Sequence, residues 1–260
     1  MSTIDYQLTL MDSAQVFHWQ KIEDEFAAVV DGEVLTDRST DVKARAYFDS
    51  EREYLSLVDA CGVTGIAAKA VHLLPGLRVL NQPPWEALIA FILSANNNVQ
   101  RIRNLVTALC EEYGERHIYK DHALYGFPKP EVLASLDPCV LKKHVTCGYR
   151  AEYLVETAQT VCDGFPLDQL KTLPLSEARK RLVSLKGVGP KVADCVLLFG
   201  CRHTEAFPVD VWVKRLMEKW FHISGSPAQI AERARALWGD RCGLIQQYLF
   251  HAARCGLIDL

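Results

Sequence analysis

The chain has 260 residues, 49% of them hydrophobic and 23% charged, with a formal net charge of −3. That apolar content suffices for a sizeable folded core and excludes a disordered or low-complexity chain. The slightly acidic balance excludes nucleic-acid binding through bulk positive charge, so any contact with DNA must be local, through helix N-termini and a few basic side chains.

In chain order, the first third reads as mixed β structure. Tyr6 to Leu10 alternates apolar and polar residues, and Phe26 to Val30 and Val34 to Thr36 flank Asp31-Gly32, a dipeptide suited to a two-residue hairpin turn. Glu51 to Ala60 predicts a helix, and Leu74-Pro75-Gly76 and Gln82-Pro83-Pro84 punctuate the exit from this region. From Trp85 the period becomes helical. Trp85 to Leu93 is apolar on nearly every side, as in a buried central helix, and Val99, Ile102, Val106, Leu109 and Tyr113 share one face of the next. Helices are expected thereafter. Asp137-Pro138 starts one that Gly148 stops, Tyr149 to Cys162 forms another ending near Gly164, Ser176 caps the next, and Ser226-Pro227 and Asp240 open the last two before Gly256. The expectation is an α+β protein, mostly α: an N-terminal antiparallel β-rich domain over residues 1–80, packed on a helical region over 81–260.

Nine cysteines with no secretory signal and no long apolar span point to a reducing, intracellular setting with no membrane partner, and a monomer is expected. Their spacing matches no zinc pattern, so no metal and no cofactor is expected. Arg101, Arg103, Lys142, Lys143 and Arg150 supply a candidate basic face.

The densest chemistry lies in Leu185-Lys186-Gly187-Val188-Gly189-Pro190-Lys191-Val192-Ala193-Asp194-Cys195, followed by Pro208-Val209-Asp210. Gly187 and Gly189 allow a sharp hairpin whose amides point outward to a phosphate, and Pro190 suits the first position of a helix. Lys191 then sits where the positive end of the helix dipole disfavours a second positive charge and so favours a neutral, nucleophilic amine. Asp210 follows after one helix and a turn, which returns a carboxylate to the amine. A nucleophile for a sugar C1′ and a carboxylate near the oxocarbenium-like transition state both help the removal of a damaged base from DNA. The blander alternatives are a lysine that only contacts phosphate in a non-catalytic binding module, and an Asp210 that only caps a helix.

Hairpin, lysine and acid together resemble the helix-hairpin-helix DNA glycosylases that also act as lyases, with the hairpin over about residues 176–200. The likeness narrows to the 8-oxoguanine DNA glycosylase/AP lyase family of the eukaryotic type through Phe91-Ile92-Leu93-Ser94-Ala95-Asn96-Asn97-Asn98-Val99-Gln100-Arg101-Ile102, Cys147-Gly148-Tyr149-Arg150-Ala151 and Gly243-Leu244-Ile245-Gln246-Gln247-Tyr248-Leu249-Phe250. Some relatives carry four C-terminal cysteines around an iron–sulfur cluster, but only Cys242 and Cys255 follow Cys201 here, so no cluster is expected. The resemblance implies a bifunctional enzyme acting on double-stranded DNA that contains an oxidised purine, with Lys191 attacking C1′ and Asp210 supporting it.

The same resemblance implies that Cys195 and Phe250 sandwich the extruded base while Gln246 pairs with its Watson–Crick edge. Asn96, Tyr149, Arg150 and Arg101 correspond to residues that fill the gap and read an orphaned cytosine. Two departures stand out. Ala14 replaces the glycine whose backbone carbonyl accepts the N7 hydrogen of the oxidised base, and Trp212 stands where the family often places histidine. A glycosylase of the same fold for another damaged base is the rival within enzymes.

Overall fold

Asp31 and Gly32 take φ of 51° and 74°, the paired left-handed conformations of a tight hairpin turn, and join β2 (Glu25–Val30) to β3 (Glu33–Thr36). β1 (Gln20–Ile22) pairs antiparallel with the other side of β2, giving a three-stranded sheet of order β1-β2-β3. The computed structural model describes residues 3–56 and 64–260.

Where Tyr6 to Leu10 predicts a strand, the chain instead forms a wide helical turn over Gln7–Asp12. The Asp5 carboxylate accepts the Leu8 amide at 2.9 Å, and the Asp5 carbonyl accepts the Thr9 amide. This local capping favours a helical turn over five residues too few to fix a period. The helix predicted over Glu51 to Ala60 is absent from Glu51 to Leu55, where turns let the Tyr54 hydroxyl donate to Asp49 Oδ2 at 2.8 Å; residues 57–60 lie outside the described residues.

The central helix Pro84–Ser94 is buried at every position except the partly exposed Trp85, which explains a sequence apolar but for Glu86 and Ser94. Gly200 of helix Pro190–Gly200 permits its close approach, because a Cβ there would lie 2.9 Å from that of Ala87. Glu86 ties the central helix to the sheet: its Oε1 accepts the Asp31 amide at 2.8 Å.

The helical region is interrupted by a hairpin that the sequence reading lacks, β4 (Arg116–Tyr119) and β5 (His122–Tyr125), turned at Lys120 and Asp121 with φ of 47° and 63°. Leu124 packs with Ile22, Ala27 and Val29, and the Tyr119 hydroxyl donates to Glu25 Oε1 at 2.8 Å, so the hairpin extends the β layer. Helix boundaries also shift. Helix Pro138–Val145 stops at Thr146 in the left-handed conformation, before Gly148. Leu175–Val183 begins after Pro174, leaving Ser176 inside it without a capping bond. Asp240 lies in a 3₁₀ turn ahead of Cys242–Arg254. Ser226 does cap Pro227–Trp238, in a reciprocal box with Gln229.

Candidate active site

Three chain segments converge on one cleft, each with a local reason for its shape. The first is the asparagine run, in which each side chain has a separate task. Asn96 takes the left-handed corner (φ 52°), Asn97 Nδ2 donates to Leu93 O at 2.8 Å, and Asn98 Oδ1 accepts the Arg101 amide at 2.9 Å as the N-cap of Val99–Tyr113.

The second is the hairpin between Leu175–Val183 and Pro190–Gly200. Gly187 takes φ 77° directly over the Tyr153 ring, where a Cβ would meet Cδ2 at 2.4 Å, so only glycine fits. Gly189 is the N-cap with Pro190 at the first helical position, as expected. Thr157 Oγ1 donates to Lys186 O at 3.1 Å and seats the hairpin on helix Arg150–Cys162.

The third is Asp210, whose Oδ1 accepts the Val213 amide at 2.8 Å and opens helix Val211–Phe221.

Lys191 and Asp210 both line a cleft of about 820 Å³ together with the asparagine run, both hairpin glycines and Trp212, which is 44% exposed. Asp210 is thus a cap and a cleft residue at once. No ion pair joins Lys191 to a carboxylate among the described residues; its Nζ donates to Ser94 Oγ at 3.4 Å and stands 5.4 Å from the Phe91 ring centroid. Asp194, one turn further along the helix, is not available to the amine, because Arg179 Nε donates to its Oδ1 at 2.6 Å. Burial raises the Asp194 carboxyl even so, with Arg179 opposing.

Behind the cleft lies the predicted base pocket, and the structure brings its residues together: Ala14, Cys195, Gln246 and Phe250 share a cavity of about 50 Å³ with Lys191 and Asp210. Cys195 is buried, and burial pushes its thiol up to about 11, so it is an apolar wall and no nucleophile. Gln246 is 5% exposed, and its Oε1 has no hydrogen-bond partner, a polar atom left for something else to satisfy. Phe250 is half-buried and also lines an adjoining cavity of about 480 Å³. Ala14 takes φ 60°, the conformation for which glycine is suited; a Cβ there costs about 1–2 kcal/mol.

The residues expected to meet the partner base divide. Tyr149 is 47% exposed and its hydroxyl accepts from Asn96 Nδ2 at 3.3 Å, while Arg101 is exposed. Arg150, however, is only 5% exposed. Its Nε donates to Ala95 O at 3.0 Å, Nη1 to Cys147 O at 3.2 Å, and Nη2 also reaches Ala95 O, with the guanidinium stacked 4.4 Å from the Tyr149 ring. It braces the asparagine turn. Arg103 likewise leaves the proposed basic face, donating to the Leu10 and Met11 carbonyls; Arg101, Lys142 and Lys143 remain exposed.

Ser94 and Phe91 stand beside the Lys191 amine, and Gln247 backs the turn at Ala14 from outside the catalytic machinery, three positions that the sequence does not mark as candidates. Each lies within a motif singled out in the sequence, but their partners are distant in the chain. No cluster of His, Cys, Asp and Glu suited to a metal occurs among the described residues, and no helix is long and apolar enough to cross a membrane.

The family model described as "HhH-GPD superfamily base excision DNA repair protein" matches residues 89–240. A "Probable N-glycosylase/DNA lyase" of Methanothermobacter thermautotrophicus is 34% identical over 208 residues, covering 71% of this chain and 66% of that protein. The "N-glycosylase/DNA lyase" of Saccharomyces cerevisiae is 37% identical over 169 residues, covering 60% and 45%. The matches therefore span about two thirds and under half of these curated relatives. Among solved structures, Clostridium acetobutylicum 8-oxoguanine glycosylase/lyase, in complex with double-stranded DNA containing cytosine opposite 8-oxoguanine, superposes with a TM-score of 0.89 at 30% identity over 98% of this chain and 93% of that one.

Proposed function

The chain belongs to the HhH-GPD superfamily of base excision DNA repair proteins, and from that premise we propose that it excises 8-oxoguanine from duplex DNA and nicks the resulting abasic strand. The observation that carries the reading is the placement of the Lys191 amine and the Asp210 carboxylate on one cleft, beside the amides of a glycine hairpin and in front of a pocket with an unsatisfied amide oxygen.

The phosphate backbone is held at the hairpin by main-chain N–H groups at a helix N-terminus, which needs no net positive charge. The lesion leaves the stack and enters between Cys195 and Phe250. The 50 Å³ pocket holds little more than one water, and it shares Ala14, Lys191, Asp210 and Phe250 with the adjoining 480 Å³ cavity, toward which it opens to admit a base. The Lys191 lone pair attacks C1′ as the C1′–N9 bond breaks, and the base departs with the bonding electrons and takes up a proton. Asp210 stabilises the positive charge on the sugar. Ring opening gives a Schiff base with Lys191, which acidifies the C2′ proton; its removal expels the 3′ phosphate by β-elimination.

For lesion recognition, the Ala14 carbonyl is the group that accepts the N7–H found in 8-oxoguanine and absent from guanine. Exposed Arg101 and Tyr149 reach for the orphaned partner, with cytosine preferred because it presents two acceptors, O2 and N3. The Clostridium neighbour, seen with cytosine opposite the lesion, supports that preference.

The test is borohydride trapping on a duplex with one 8-oxoguanine. Wild type should yield a covalent adduct, and Lys191→Gln should bind the lesion yet lose both adduct and excision. No adduct from the wild-type protein would reduce it to a binding module. An adduct from Lys191→Gln would remove that residue from its role, and a lesion panel separates 8-oxoguanine from other damaged bases.

A further inference from the structure

Ala14 is strained, and strain at a functional turn persists only where neighbours over-determine the backbone. One restraint is local, and three come from residues 78–82. Ser13 Oγ donates to Thr9 O at 2.7 Å, Gln15 Nε2 donates to Arg78 O at 2.7 Å, Gln15 Oε1 accepts the Leu80 amide at 2.8 Å, and Gln82 Nε2 donates to Gln15 O at 2.8 Å. One comes from the opposite end of the molecule. Gln247 Nε2 donates to Ser13 O at 2.9 Å across 234 residues of sequence, from a side chain only 2% exposed.

The consequence is geometric. A peptide unit is planar, so holding the Ser13 carbonyl fixes the plane that sets φ of Ala14, and holding the Gln15 carbonyl fixes the chain on the other side. Between two occupied carbonyls, that of Ala14 accepts no hydrogen bond from any described residue. It lies in a residue lining the same pocket as Gln246 and Phe250, and the helix that carries those two, Cys242–Arg254, also carries Gln247. One helix supplies a pocket wall and clamps the turn that faces it.

We propose that Gln247 is a positioning residue for lesion specificity: it holds Ala14 in the left-handed conformation, and so holds the Ala14 carbonyl where only a base with a hydrogen on N7 satisfies it. The proposal rests on the reading that this carbonyl is the damage contact. Glycine adopts positive φ without strain, and a chain with alanine at position 14 needs the clamp more than one with glycine would.

The experiment compares Gln247→Leu, Ala14→Gly and the double variant, measuring single-turnover excision of 8-oxoguanine opposite cytosine and, on the same preparation, cleavage of a preformed abasic site. The abasic site has no base to read, so it reports folded, catalytically intact protein. Gln247→Leu should slow excision by about tenfold, the scale of one buried hydrogen bond, while abasic cleavage is unchanged. Adding Ala14→Gly should restore most of the lost rate. An unchanged excision rate, an equal loss on both substrates, or a loss that Ala14→Gly leaves untouched overturns the proposal. A wild-type protein that cleaves abasic sites yet spares 8-oxoguanine refutes the substrate reading and this inference with it; wild-type excision with an unaltered variant refutes the inference alone.

Discussion

Glu86 should make the protein less stable as pH rises above neutrality, through a group outside the cleft. It is 4% exposed, with Oε1 on the Asp31 amide and Oε2 without a hydrogen-bond partner, 3.9 Å from the equally orphaned His18 Nε2. Burial raises its carboxyl from 4.5 to about 8, and burial lowers His18 from 6.5 to about 3. Between pH 4.5 and 8 the folded protein keeps a proton on Glu86 that the unfolded chain has released, so stability falls with rising pH. His18 acts in the opposite sense between pH 3 and 6.5, where only the unfolded chain holds its proton. The two slopes cancel from pH 4.5 to 6.5, and above 6.5 Glu86 alone of the pair acts. From there to pH 8, one and a half units at about 1.4 kcal/mol each give a loss of about 2 kcal/mol. Urea unfolding of wild type and Glu86→Gln at several pH values measures it. The variant should decline by about 2 kcal/mol less than wild type over that range, the raised His203 imidazole beside Glu205 adding the same fall to both; parallel curves for the two proteins between pH 6.5 and 8 would refute the reasoning.

Asp210→Asn keeps an oxygen to accept the Val213 amide, so the melting temperature should hold while single-turnover excision falls at least tenfold; undiminished excision would leave the residue only its cap. Gly187→Ala meets both positive φ and the Tyr153 ring and should cost about 2–5 kcal/mol in chemical denaturation, whereas Gly189→Ala, with open space around its Cβ, should keep stability and weaken DNA affinity. Equal stability of the two alanine variants would show the hairpin to be looser than described. Arg150→Ala should lower stability by about 1–3 kcal/mol, because it strips donors from the Ala95 and Cys147 carbonyls, so any change in partner-base preference must be read beside its melting curve. An unaffected melting temperature would free Arg150 from the bracing role.

The elements legible in the sequence were those whose evidence is local. Asp31-Gly32 specifies its own turn, the apolar run from Trp85 specifies a buried helix, and Gly187, Gly189 and Pro190 specify the hairpin. The β4-β5 hairpin was hidden because its pattern runs against expectation: Ile118 is 57% exposed, only Leu124 is fully buried, and the turn is Lys120-Asp121. Tyr6 to Leu10 misled because the Asp5 cap outweighs a short alternation. In the site, Lys191 and Asp210 were legible because chemistry and spacing coincide there. Ser94 and Gln247 were not, since a serine 97 residues from its lysine and a glutamine 234 residues from its carbonyl carry no signature before the chain folds. Arg150, expected from the resemblance to read the orphaned cytosine, has a bracing role that the sequence does not show, because sequence gives a side chain's charge but not the carbonyls that will surround it.

The bonds from Gln247 to Ser13 and from Arg254 to Asp12 join residues 234 and 242 positions apart, so the turn at Ala14 is expected to be fixed late in folding. During synthesis the hairpin, Lys191 and Asp210 leave the ribosome before the last helix exists, and closing so large a loop is slow. The hairpin that carries Lys191 is seated by closer partners, Tyr153 and Thr157, so it is expected to form ahead of the turn that chooses a base. In refolding, pulse-labelled amides of Pro190–Gly200 should gain protection ahead of those at Ala14 and Gln15, and the reverse order would show that the recognition turn forms without its distant clamp.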